Sequence, residues 1–80
     1  MRWQDHIERK PTVMVGKPVI KGTRITVELI LERLSNGATE GDLIGSYPHI
    51  TRADVRAALA YAADAIALGT GARPKASVAT

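Results

Sequence analysis

"TEGDLIGSYPHITRADVRAALAYAADAIAL", Thr39–Leu68, decides the fold. Within it Thr39 and Thr51 are each followed, three residues later, by an aspartate, Asp42 and Asp54. That spacing is a capping box: the hydroxyl and the carboxylate satisfy amides that a helix start leaves without partners. The stretch therefore predicts a short helix from Thr39 that carries Leu43, Ile44 and Tyr47 and stops near Pro48. A longer helix follows from about Thr51 to Leu68, with Gly69 as its stop and an apolar stripe read as Val55, Leu59, Ala62 and Ile66.

Upstream, Val27, Ile30, Leu31 and Leu34 recur at helical spacing, and Gly37 suits a left-handed cap. Leu29 falls on the opposite face of that helix. It is entered through "VIKGTRITVELI", Val19–Ile30, where Gly22 supplies a tight turn and Thr23 and Thr26 can satisfy the amides of the helix start. Lys21 and Arg24 sit on the turn, and loop cations held on a rigid frame commonly serve a partner. Val13–Val15 and Val19–Ile20, separated by Gly16-Lys17-Pro18, read as a short β ribbon, which is marginal unless it packs on the helices or pairs with a second chain. Met1–Lys10 reads as a polar arm, and residues 70–80 as a flexible tail of Gly, Pro and Ser character.

Eighty residues allow one domain, placed at residues 1–69, and a chain that short buries too little surface to be generously stable alone. A homodimer is the expected remedy, with off-stripe Leu29 and the ribbon as its surfaces. Eleven Lys and Arg against eight Asp and Glu give a net charge of +3, which suits nucleic acid or an acidic protein. There is no cysteine, no apolar run of membrane-spanning length and no signal-peptide core, so the chain reads as cytoplasmic.

A short helix, a tight connection and a longer helix form the outline of a helix-turn-helix unit, whose second helix enters the DNA major groove. Arg52 and Arg56, four apart, share one flank of that helix, and arginine suits guanine edges and phosphates. Ala53, Ala57 and Ala60 would keep its outward surface low. Thr51, Arg52, Arg56, Lys21 and Arg24 are therefore the candidate DNA contacts. Against this stand Asp54 and Glu40, which repel phosphate, and the plain alternative of a solvated helix face. His6 and His49 lack companions at ligand spacing, so they read as surface or turn histidines, and no metal or cofactor is expected. Glu28 and Glu32 read as solvated acids, and without a walled cleft of converging carboxylates the chain reads as no enzyme.

The run "GKPVIKGTRITVELILERLSNG" with "LIGSYPHITRADVRAALAYAADAI" resembles the family called domain of unknown function 433, grouped with Vap-type antitoxins. Gly16-Lys17-Pro18, Ile20, Gly22-Thr23-Arg24 and Val27 carry it at the front, and Tyr47-Pro48, Thr51, Asp54, Val55 and Ala57–Ala63 with Leu59 and Tyr61 carry it behind. Trp3 and Ile7 also fit, and the resemblance covers Met1–Leu68. Two positions depart from the pattern: Val15 stands where a glycine is frequent, and Thr26 where proline is. The resemblance implies a mainly α, trihelical, winged-helix-like module with a short N-terminal β ribbon. It further implies an antitoxin that binds a cognate PIN-like ribonuclease toxin and, as a dimer, represses their shared operon through operator DNA. In that setting Arg73 and Lys75 of the tail are candidates to approach acids of the toxin. The alternative is a toxin-binding or general protein-interaction module without DNA binding.

Overall fold

The computed structural model describes residues 1–68, and within them local capping chemistry delimits the helices. Helix α1 spans Val27–Ser35, α2 spans Glu40–Ser46 and α3 spans Arg52–Ala67. Thr26 opens α1, its hydroxyl oxygen accepting from the Leu29 amide at 3.0 Å. Both capping boxes form. The Thr39 amide donates to Asp42 Oδ2 at 2.9 Å and the Asp42 amide to Thr39 Oγ1 at 3.0 Å. Thr51 and Asp54 repeat the exchange at 2.9 and 3.1 Å. The Thr39 backbone N–H, and after it the Thr39 side chain, hold the Asp42 carboxyl below the ordinary aspartate range. At the far end of α1, Gly37 turns left-handed at φ +99°, which only glycine adopts without strain. Its amide reaches the Leu34 carbonyl and the Ala38 amide reaches the Arg33 carbonyl, both at 3.0 Å, closing the helix as a Schellman motif.

The ribbon differs from the sequence expectation. Its strands are β1, Ile7–Glu8, and β2, Val19–Ile20, antiparallel with Ile7 opposite Ile20 and Glu8 opposite Val19. Val13–Val15 is not a strand: Met14–Gly16 forms one turn of 3-10 helix, with positive φ at Met14 (49°), Val15 (56°) and Gly16 (78°). Nor is Met1–Lys10 a free arm. Trp3–Asp5 makes a 3-10 turn against α3, where the Trp3 ring meets Tyr61 edge-on at 4.8 Å and its Nε1 donates to Asp64 Oδ2 at 2.7 Å. Burying Ile7 opposite Ile20 and docking Trp3 offset the cost of ordering this segment.

Ile7, Ile20, Val27, Ile30, Leu43, Ile50, Val55, Ala57 and Ala58 form the core under the three helices. The inner face of α3 is rotated from the expected stripe. Ala57 is fully buried, whereas Leu59 is 46% and Ile66 63% exposed. Val55, Ala57, Ala58 and Tyr61 face the neighbours, the alanines allowing close approach, while Leu59 and Ile66 turn outward. Leu29 is half-buried rather than standing clear on the far side of α1. The result is a mainly helical fold of three helices with a short antiparallel ribbon, in which α2, the connection Tyr47–Thr51 and α3 follow the helix-turn-helix outline.

Candidate nucleic-acid interface

The amino-terminal turn of α3 is built by its cap. Thr51 contributes its hydroxyl to that cap, accepting from Asp54 N, and the next residues put Arg52, Ala53 and Arg56 on the solvent side. Arg52 and Arg56 are not free. Arg52 Nε lies 3.7 Å from Glu40 Oε1 and Arg56 Nε 3.5 Å from Glu40 Oε2, so one carboxylate at the start of α2 spans both. The arginine side chains are 64% and 62% exposed and Glu40 only 29%. At those separations the contacts are ion pairs rather than good hydrogen bonds, and the trio carries a net single positive charge.

The turn between β2 and α1 presents the other two cations. Gly22 adopts φ +77°; the Ile20 carbonyl accepts from the Thr23 amide at 3.0 Å and from Thr23 Oγ1 at 2.8 Å, and Thr23 Oγ1 accepts from the Ile25 amide at 3.0 Å. The Gly22 amide donates to Glu8 Oε2 at 3.1 Å, fastening the turn to β1. Lys21 and Arg24 project from this frame, exposed, with no side-chain partner among the described residues. Glu28, in the first turn of α1, pairs with Lys17 Nζ at 3.0 Å and not with Arg24.

The turn and the start of α3 are tied together through His6. The Lys21 amide donates to the His6 carbonyl at 2.8 Å, His6 Nδ1 meets Asp54 Oδ1 at 2.8 Å, and Asp54 Oδ2 closes the capping box on Thr51 N at 2.9 Å. Asp54 thus uses one oxygen for its own helix and the other for the β ribbon. Arg24, Lys10 and His49 line a surface depression of about 530 Å³ between the turn and the loop that precedes α3. Of the residues proposed from sequence, Lys21 and Thr51 are joined by this chain of bonds, Arg52 and Arg56 by Glu40, and Arg24 faces the loop at His49. Arg73 and Lys75 lie outside the described residues.

Sequence reasoning treated His6 as a surface histidine and missed its partner, and it saw Glu40 only as a repelling charge. No local signal links His6 to Asp54 across 48 positions. A further groove of about 440 Å³ runs between α1 and α3, lined by Pro18, Val27, Leu31, Tyr61, Ala62 and Ile66. Among the described residues no three His, Cys, Asp or Glu side chains converge as a metal site. No described helix is long and apolar enough to cross a membrane.

The family described as protein of unknown function, DUF433, matches residues 7–62. The chain belongs to the DUF433 family. A crystal structure of a DUF433 member protein from Anabaena variabilis, at 2.00 Å resolution, is similar at 33% identity with a TM-score of 0.73. The match covers 76% of this chain and 60% of that one, so the chain spans less than two thirds of that relative. No curated protein matches. The DUF433 match includes the Gly22 turn, the Thr39 and Thr51 caps and the Arg52 and Arg56 pair, and it stops before the last turn of α3.

Proposed function

We propose that this DUF433 chain is a DNA-binding antitoxin that works as a cytoplasmic homodimer, represses its own operon and neutralises a PIN-like ribonuclease encoded beside it. The observation that carries the DNA-binding part is the exposed Arg52 and Arg56 pair on the outer face of the second helix of a helix-turn-helix outline. Lys21 supports it, being fastened to the same helix start through His6 and Asp54, and so does the net charge of +3. In this reading α3 lies in the major groove, Arg52 and Arg56 meet base edges or phosphates, Thr51 caps the helix at the groove, and Lys21 and Arg24 meet the flanking backbone. The reading assigns no catalytic step and no cofactor. Arg73 and Lys75 remain its candidate toxin contacts.

Fluorescence anisotropy with the duplex upstream of the chain's own gene tests the DNA part. Saturable binding that is tighter than to a scrambled duplex supports it, and equal, salt-abolished binding to both counts against it. Co-purification with the adjacent gene product tests the toxin part, and a chain ending at Gly69 that inhibits the toxin fully would remove Arg73 and Lys75 from the interface. A second reading, a protein-interaction module without DNA binding, is favoured by one observation: Leu59 and Ile66 stand exposed on α3, and Ile66 borders the apolar groove beside α1. Retained toxin binding in an Arg52→Gln, Arg56→Gln double variant, with no wild-type affinity for any duplex, would select it.

A further inference from the structure

Glu40 is not a bystander to the arginines. It is the first residue of α2, on a turn fixed by the Thr39 and Asp42 capping box, and each of its oxygens faces one arginine. Each arginine meets the carboxylate through Nε, and each guanidinium carries two further terminal amino groups that can donate to a base edge. We propose that Glu40 is a positioning and specificity-determining residue, which holds Arg52 and Arg56 for base edges and suppresses indiscriminate binding to phosphate. This rests on the DNA-binding reading above.

A phosphate contact carries no sequence information and its strength follows the local net charge, which Glu40 lowers from two to one on the α3 surface. A phosphate that approaches either Nε must also displace a carboxylate already there. A guanine edge, met by the terminal amino groups, need not. The pin also restricts two long side chains before binding, so less rotamer freedom is lost when a base is contacted. The same acid that repels phosphate, an argument against DNA binding when the sequence is read alone, becomes the source of discrimination.

The experiment compares wild type, Glu40→Gln and Glu28→Gln on the upstream duplex and on a scrambled one across a salt series. Glu28 pairs with Lys17 away from the arginines, so its replacement changes the net charge equally and controls for overall charge. Glu40→Gln is expected to bind the scrambled duplex about three- to fivefold more tightly, to steepen the salt slope by about one unit and to lose preference by a similar factor. Glu40→Asp, whose shorter side chain draws the carboxylate back, should fall between the two and serves if the glutamine variant folds poorly. In the free protein the Arg52 and Arg56 Nε resonances should shift in Glu40→Gln and not in Glu28→Gln. Equal effects from the two glutamine variants, or no change in slope, would overturn the inference and leave DNA binding standing. No binding of either duplex by wild type or Glu40→Gln would overturn both, whereas binding that emerges only in Glu40→Gln would support Glu40 as the restraint.

Discussion

Val15→Gly should stabilise this protein. Val15 sits at φ 56°, ψ 39°, a left-handed conformation in which a β-branched side chain crowds its own backbone. The conformation costs an ordinary L-residue about 1–2 kcal/mol, and glycine removes that cost. Glycine also frees the unfolded chain, which takes back about 0.5–1 kcal/mol. Little burial is lost, since Val15 is 92% exposed. The turn itself is held by backbone bonds that glycine keeps, Gly16 N to the Val13 carbonyl and Lys17 N to the Met14 carbonyl, both at 3.1 Å. The net gain is about 0.5–1 kcal/mol, or roughly 2–8 °C in Tm for a domain of this size. Thermal unfolding followed by circular dichroism reads it directly. Val13→Gly is the control: Val13 is half-buried at φ −118°, so glycine there should lower Tm. An unchanged or lower Tm for Val15→Gly would refute the strain argument.

Two further outcomes follow from the packing and the caps. Trp3→Ala removes the edge-on contact with Tyr61 and the bond to Asp64, so it should cost about 2 kcal/mol and lower Tm, which differential scanning calorimetry would register; no loss would mean that Trp3 is the free arm the sequence suggested. Asp42 has its folded pKa depressed by the Thr39 contacts, so its stabilising contribution is present above the unfolded value of 3.8 and is lost as pH falls through the lower folded value. Asp42→Asn should therefore remove part of the stability difference between neutral and strongly acidic solution, and denaturant titrations at both pH values with an unchanged difference would contradict the assignment.

The helices were legible because their ends are local. Thr26, Thr39 and Thr51 each bond an amide three residues on, and Gly37 closes α1 within one turn. The first strand was not legible: two residues in a polar segment give no alternation, and what makes Ile7 a strand residue is Ile20, thirteen positions on. The denser β-branched run at Val13–Val15 drew the expectation and proved to be a turn. The phase of α3 was misread for a different reason. Seven alanines between Ala57 and Ala67 leave weak contrast between faces, so the position of Leu59 and Ile66 depends on which side α1 and the Trp3 turn approach. The exposure of Arg52 and Arg56 followed from their helical spacing alone. Their shared partner did not, since Glu40 reaches them only through the packing of α2 on α3.

The central claim is that the Arg52 and Arg56 face of α3 reads duplex DNA, and the measurement closest to it is a salt-dependent affinity series on the Arg52→Gln, Arg56→Gln double variant. Both arginines are largely exposed, so the variant should keep the wild-type Tm within a few degrees. On the duplex upstream of the chain's own gene, affinity should fall by at least tenfold. Each lost phosphate contact should flatten the salt slope by about one unit, and each lost base contact should cost about 1–3 kcal/mol of preference over scrambled DNA. A folded double variant that binds both duplexes as the wild type does, with the same preference and the same salt slope, would contradict the account.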